Sequence, residues 1–306
     1  MSGAHLSPAA AMKWRAYQIA AIGVQRGGCA GPLLAPLAGR LSYLLSPGTR
    51  RAVEANVRQL LPWESPTAVR RTARGIFCSV ARYNAELMRL PVSDLRALHD
   101  TMDVQGYEFL EAARRAGKGV IVAGVHLGPA EIVLQAFAVR GVPYTAMIER
   151  LEPPGLNALF LDIRLRHGHR YVFADMAGAR ALLRALRDGG VVTILVDRDV
   201  TGSGIDVPLA GTSVRAPTGV IDLARVSGAP IVPTVAQWDG ARRRTIFMPP
   251  ITIQREVRGV DARRTALADL LERFLPYLRA HPEQWLMLQR WFNEPPVADG
   301  TAYTGR

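Results

Sequence analysis

Two rhythms of apolar residues divide the chain. Up to about residue 115 the apolar positions recur at helical spacing. Val53, Val57, Leu60 and Leu61 follow the loop Ser46-Pro-Gly-Thr49, and Val69, Ala73, Ile76, Phe77, Val80 and Tyr83 follow Ser65-Pro66. A proline just after a serine suits the first turn of a helix, where a missing N–H costs little. From residue 118 the pattern changes to short apolar runs at 119–125, 142–148, 170–173, 191–196, 231–237 and 245–253. Helical segments are predicted between and after them at 129–139, 154–166, 177–187 and 215–227, with a last helix over 261–280 that stops before His281-Pro282. Alternating strands and helices predict an α/β fold, with a central, largely parallel sheet flanked by helices. No repeat or low-complexity linker interrupts the 306 residues. They read as a single domain, with a helical N-terminal arm over 1–115 and a catalytic core over 116–306.

Composition narrows the picture. A hydrophobic share of 49% is enough to bury a substantial core. Residues 14–45 are apolar but are interrupted by Arg26, Gly27-Gly28, Pro32, Pro36 and Arg40, so no spanning helix and no secretory signal are expected. Two readings of that segment stay open. It forms buried core helices, or it lies in a membrane interface with Trp14, Arg15, Arg26 and Arg40 at the polar boundary. The net charge is +12, and of the 38 basic side chains only Lys13 and Lys118 are lysines. Guanidinium groups bind phosphate through two oxygens at once, which makes an anionic membrane surface and a phosphate-bearing donor expected partners. Nucleic acid is not an expected partner, since there is no zinc finger, aromatic recognition pattern or basic tail. Cys29 and Cys78 form neither a disulfide framework nor a metal-ligand spacing, and no metal is expected. Neither Ser203-Gly204 nor Ser227-Gly228 forms a nucleophile elbow, and there is no phosphate-binding Gly-x-x-x-x-Gly-Lys loop.

The richest chemistry lies in Gly124-Val-His126-Leu-Gly-Pro-Ala-Glu131-Ile. His126 falls where an apolar run ends, and Pro129 opens the following helix. The His126 imidazole and the Glu131 carboxylate can then converge as a base and the group that orients it, which is what activating an alcohol requires. The Leu127 and Gly128 N–H groups are candidate donors to an oxyanion. Asp197 ends another apolar run, and sites in open α/β sheets collect at the carboxyl ends of strands.

The order His126-x4-Glu131, Glu149-Arg150, Arg164, Asp197-Arg-Asp199 and Ala229-Pro-Ile-Val-Pro233 resembles the lysophospholipid acyltransferase superfamily. More narrowly it is similar to the lipid A (lauroyl and myristoyl) acyltransferase branch, which includes the phosphatidylinositol mannoside acyltransferases. Asn56-Val-Arg-Gln-Leu-Leu-Pro62 and His281-Pro-Glu-Gln-Trp285, followed by Trp291, are similar to segments near the two ends of that family. Glu86 and Arg89 are similar to a glutamate and a basic residue that close its helical hairpin. Two intervals depart from the pattern: Leu-Gly-Pro-Ala between His126 and Glu131, and Pro208-Leu-Ala-Gly211 where the family has a bulky loop.

The resemblance implies a membrane-associated O-acyltransferase. It would move a fatty acyl group from acyl-CoA or acyl carrier protein to a hydroxyl of a glycolipid similar to a phosphatidylinositol mannoside. Lipid A or a lysophospholipid is the alternative acceptor, and thioester hydrolysis by the same His-Glu pair the further alternative. His126 would be the general base and Glu131 its orienting partner. Arg164, Glu149, Asp197, Arg198 and Asp206 would serve the substrates or the oxyanion. The thioester is the co-substrate and no cofactor is implied. The expected location is peripheral, on the cytoplasmic face of the bacterial inner membrane.

Overall fold

The structure, a computed structural model, describes residues 15, 22–26 and 30–293. Trp14 and Cys29 lie outside the described residues. Helix α1 (Ala30–Leu45) is followed by α2 (Pro47–Leu60) and α3 (Pro66–Arg89). Proline sits in the first turn of α2 and α3, and the Ser65 hydroxyl caps α3 by accepting from the Ala68 N–H. One face of α1 packs on α3 through Ala35 and Tyr43, whose ring meets Phe77 edge-on at 5.5 Å. Near the end of α3 the buried Glu86 pairs with Arg82 and Arg243 and accepts from the Trp238 indole. Its partners are therefore these residues, not Arg89, and it pins the helical arm to the sheet.

The core continues as α4 (Leu95–Asp100), β1 (Met102–Gln105), α5 (Tyr107–Arg115), β2 (Val120–Gly124), α6 (Ala130–Ala136), β3 (Tyr144–Ile148), α7 (Pro154–Leu165), β4 (Arg170–Phe173), α8 (Met176–Arg187) and β5 (Val191–Leu195). Next come β6 (Ile205–Leu209), β7 (Thr212–Ala216), α9 (Gly219–Ser227), β8 (Ile231–Asp239), β9 (Arg242–Phe247), α10 (Gly259–Glu272) and α11 (Leu275–Ala280). Seven strands form one sheet in the order β1-β9-β8-β2-β5-β3-β4, parallel except where β8 meets β9. Helices cover both faces, so the expected α/β architecture holds. Alternate residues of the strands feed two cores. Ile121, Ala123, Val192 and Ile194 face α8 and α9, while Val120, Val122, Tyr144 and Ala146 face α5 and α6.

Four expectations need correcting. The segment up to residue 115 is not wholly helical, because Met102–Gln105 forms an edge strand beside β9. The stretch after β5 holds an antiparallel hairpin, β6–β7, so the helix expected over 215–227 starts at Gly219. The strand expected over 245–253 is Arg242–Phe247. The last helix breaks after Glu272 and restarts at Leu275, where Pro276 takes a place in the first turn.

One irregularity of the sheet matters for function. Strand β3 pairs with β5 only from Tyr144↔Val191 to Ala146↔Thr193. Beyond that rung β3 stays with β4 up to Ile148↔Phe173, while β5 stays with β2 up to Gly124↔Leu195. The two strands part at their carboxyl ends, and the sheet has a gap there. Among the described residues, no helix is long and apolar enough to cross a membrane.

Candidate active site

His126 and Asp197 lie just past the ends of β2 and β5, which are neighbours in the sheet. His126 Nδ1 stands 2.7 Å from Asp197 Oδ1, and its backbone N–H donates to Asp197 Oδ2 at 2.9 Å. The Trp285 indole N–H donates to the same Oδ2 at 3.1 Å. Asp197 is fully buried. Burial alone would raise its pKa, but the facing imidazole and these hydrogen bonds together hold the carboxyl below its ordinary value. A buried carboxylate on Nδ1 fixes the ring and selects the tautomer with the proton there. His126 Nε2 is left without a partner among the described residues.

The segment containing Trp285 holds the His126 loop as an added strand would. Leu286 N–H donates to the His126 carbonyl at 2.7 Å, and Gly128 N–H donates to the Gln284 carbonyl at 2.9 Å. Gly128 has φ +59°, and a Cβ there would come within 2.5 Å of the Ala236 carbonyl oxygen, so only glycine lets the loop cross β8 this closely. Asn56 anchors the far end of the segment by bonding the Gln289 carbonyl and the Trp291 N–H. These bonds correct the oxyanion expectation. The Leu127 N–H is bonded to the Val125 carbonyl and the Gly128 N–H to Gln284, so neither is free.

Glu131 does not hold the imidazole. Its two oxygens take Arg164 Nε and Nη2 at 2.6 and 2.8 Å, and the Tyr83 hydroxyl at 3.1 Å. The spacing in sequence suggested convergence on His126, but α6 directs Glu131 toward α7, where a buried guanidinium offers a stronger, two-point partner. Burial by itself would weaken Arg164's hold on its proton; Glu131's charge and hydrogen bonds outweigh it and raise the pKa, so the guanidinium stays charged. Arg164 thus stands at the cavity wall as one half of an ion pair with Glu131. Glu149 and Arg198 pair with each other at 2.7 Å. Asp206 lies on β6, where it bonds Asn293 and stands 3.8 Å from Arg215, and it does not line the cavity on which His126 opens.

His126 opens on a cavity of about 910 Å³, which also reaches Glu131, Glu149, Arg164 and Arg198. That volume is ample for a lipid chain. The cavity uses the gap between β3 and β5. Tyr144 and Ala146 line it from the α5–α6 side of the sheet, and Met147 and Ile194 from the α8–α9 side. One limb carries the hydroxyls of Tyr83, Tyr144 and Tyr171 with the Glu131–Arg164 pair. The other limb is walled mainly by aliphatic side chains of β5, α8 and α9. Trp285 and Tyr83 are the members of the site that the sequence reading left unassigned. Trp285 stood in a recognised segment, whereas Tyr83 read only as a core position of α3.

Behind the first limb, His169 is buried and its ring stacks on Tyr144 at 3.8 Å between centroids. Burial pushes its pKa down to about 4, against 6.5 for a free histidine. The unfolded chain therefore takes up a proton in this window that the folded chain refuses, and stability is lost as pH falls from 6.5 toward 4. His169→Phe keeps a ring on Tyr144 and removes the proton site. It is expected to flatten the melting temperature over that pH range, measured against wild type by circular dichroism. An unchanged slope in the variant would assign the pH dependence to other groups.

Comparison with known proteins places the chain in a class. The family model described as bacterial lipid A biosynthesis acyltransferase matches residues 31–294. The chain is 33% identical over 223 residues to the phosphatidylinositol mannoside acyltransferase of Mycobacterium tuberculosis, covering 71% of this chain and 69% of that protein. It is 25% identical over 209 residues to the lipid A biosynthesis palmitoleoyltransferase of Escherichia coli, covering 66% and 64%. The solved 1-acyl-sn-glycerophosphate acyltransferase of Thermotoga maritima aligns at a TM-score of 0.40 and 15% identity, over 81% of this chain and 96% of that one. The protein is an acyltransferase of lipid biosynthesis. It belongs to the bacterial lipid A biosynthesis acyltransferase family, as the resemblance implied.

Proposed function

We propose that the protein transfers a fatty acyl group from a thioester to a hydroxyl of a phosphatidylinositol mannoside-like glycolipid, with His126 as general base. The observation that carries this is the His126–Asp197 pair at 2.7 Å, opening on a largely apolar cavity in a chain of this family. The acceptor hydroxyl gives its proton to Nε2 as its oxygen attacks the thioester carbonyl. Asp197 stabilises the imidazolium that forms, and the proton then passes to the departing thiolate. No side-chain nucleophile is required, so no acyl-enzyme forms. Arg198, held at one nitrogen by Glu149, supplies positive charge at the cavity wall, where a sugar acceptor finds both a donor and an acceptor. The mannoside acceptor is favoured by the identity to the mycobacterial relatives.

The test uses a radiolabelled acyl thioester, given as acyl-CoA and as acyl carrier protein, with phosphatidylinositol mannosides, lipid A precursor or lysophosphatidate as acceptor. Label is expected in the mannoside. Label in free acid alone would overturn the transfer reading, and label only in another lipid would overturn the acceptor.

The reading includes peripheral attachment to the cytoplasmic face of the plasma membrane, supported by one face of α1. Leu34, Leu37, Leu41, Leu44 and Leu45 fall on one side of that helix and are 54–71% exposed, while Ala35 and Tyr43 face α3. Arg40 and Arg26 are exposed near them, suited to anionic headgroups. Each leucine gains about 1.5–3 kcal/mol on leaving water. Changing Leu34, Leu37, Leu41 and Leu44 together to serine is expected to weaken binding to vesicles containing anionic phospholipid by on the order of 100-fold or more. Wild-type sedimentation of the variant with vesicles would remove α1 from the attachment.

A further inference from the structure

The seam between α1, α2 and α3 gathers positive charge with no acid to match it. Helix α1 crosses α3 closely at Gly39, where an added Cβ would come within 2.5 Å of the Cys78 Cα. Tyr43 is buried beside that crossing, and its ring holds two guanidinium groups. Arg50 of α2 stands 5.4 Å from the ring centre and Arg74 of α3 stands 5.6 Å from it. Burial pushes the Cys78 thiol up, and Arg40 and Arg74 both pull against it, so a third guanidinium lies at the same seam. None of Arg40, Arg50 and Arg74 has an acidic partner among the described residues. Glu54, the acid beside Tyr43, is already taken. One of its oxygens accepts the Tyr43 hydroxyl at 3.0 Å, and the other pairs with Arg58 at 3.2 Å. The N-terminus of α2 adds to the positive field, since its first turn carries no acidic residue and the Ser46 side chain does not cap it.

We propose that Arg40, Arg50 and Arg74 form a binding site for the phosphate of an anionic phospholipid headgroup, at the edge of the leucine face of α1. This rests on the peripheral attachment of that face proposed above. The place of Arg40 favours a membrane lipid over a soluble phosphate. At about 100° per residue around the helix, Arg40 falls between Tyr43, which is buried against α3, and Leu44, which is exposed. The guanidinium seam therefore borders the exposed Leu37, Leu41 and Leu44. One phospholipid satisfies both surfaces. Its phosphate meets guanidiniums that bind two oxygens at once, and its chains meet the leucines. A soluble phosphate would leave the leucines in water. Arg50 and Arg74 already rest on the Tyr43 ring, so less side-chain freedom is lost when the headgroup arrives. None of the three arginines lines the cavity on which His126 opens, so the site can be tested apart from acyl transfer.

The experiment measures binding of the full-length protein to vesicles of phosphatidylcholine alone and of phosphatidylcholine with phosphatidylglycerol. The wild type is compared with a triple variant, Arg40→Gln, Arg50→Gln and Arg74→Gln. A control triple, Arg184→Gln, Arg187→Gln and Arg255→Gln, removes the same charge from exposed arginines elsewhere. Melting curves establish folding, and Arg40→Gln alone leaves the two ring contacts of Tyr43 in place. The seam triple is expected to lose affinity for the anionic vesicles by on the order of 100-fold, and Arg40→Gln by on the order of fivefold. The control triple is expected to lose about threefold or less. Equal losses in the two triples would show diffuse charge and overturn the site. Wild-type affinity in the folded seam variants would overturn it too, as would an equal loss on the vesicles without phosphatidylglycerol. Calorimetry with glycerol phosphate and no lipid is expected to show no binding in the micromolar range. Binding there would give the seam to a soluble phosphate and overturn the lipid assignment. A wild type that binds neither kind of vesicle fails the attachment reading itself, which is a distinct result.

Discussion

Asp197→Asn is expected to lower kcat by on the order of 1,000- to 10,000-fold while the protein stays folded. The reason lies in which oxygen does what. Oδ2 accepts two N–H donors, from the His126 backbone and the Trp285 indole, and Oδ1 faces His126 Nδ1. An asparagine keeps its carbonyl oxygen where the two donors point and turns its NH2 toward Nδ1. Nδ1 must then accept, so the ring proton moves to Nε2, the nitrogen that has to take the acceptor's proton. The base is present in the wrong tautomer. His126→Ala is expected to be equally damaging, and adding Asp197→Asn to it should cost little more, because the two residues act as one unit. Steady-state kinetics of the two single changes and the double, with melting curves alongside, check this. Near-normal turnover in Asp197→Asn would return the orienting role to another residue and undo the mechanism.

The proposed base was legible in the sequence, but the carboxylate that faces it in the fold was not assigned to it. His126 stands out because an apolar run, a histidine and a proline-opened helix are all local features. Asp197 is a neighbour only because β2 and β5 pair, and that is a matter of sheet order, which a strand pattern does not state. Five residues of spacing made Glu131 the natural choice, yet Arg164, on the next helix but far along the chain, holds it with two hydrogen bonds. The loss of the Gly128 N–H to the Gln284 carbonyl has the same character, since it depends on a segment near the end of the chain folding back. The β6–β7 hairpin was missed for a local reason. Its turn is Ala210-Gly211, both at positive φ, so alanine stands where Asn or Asp would have announced a two-residue hairpin. Strand β1, four residues long between two helices, offers no apolar run to recognise. The gap between β3 and β5 leaves no trace in sequence, because both strands keep their apolar pattern and only their pairing changes.

The buried pair of Glu131 and Arg164 is expected to act on stability more than on the chemical step. Both side chains are mostly buried, and the Tyr83 hydroxyl completes the set around the carboxylate. Glu131→Ala leaves a guanidinium in the interior with no counter-charge and a tyrosine hydroxyl with no acceptor. Removing one partner of such a pair costs about 3–5 kcal/mol. Arg164→Met should cost a similar amount by stranding the carboxylate. Removing both charges, as Glu131→Gln with Arg164→Met, should be milder than the sum of the single changes, since the remaining groups are neutral and close to the same volume. Urea unfolding followed by tryptophan fluorescence gives the four free energies, and kcat at a temperature where all four proteins are folded gives the other half of the cycle. The expected pattern is strong coupling in stability with modest losses of turnover in the folded protein. If the singles instead unfold like wild type and lose turnover in proportion to the Asp197 change, the pair works on the reacting groups, and the carboxylate at 131 regains the catalytic role that its place in the sequence first suggested.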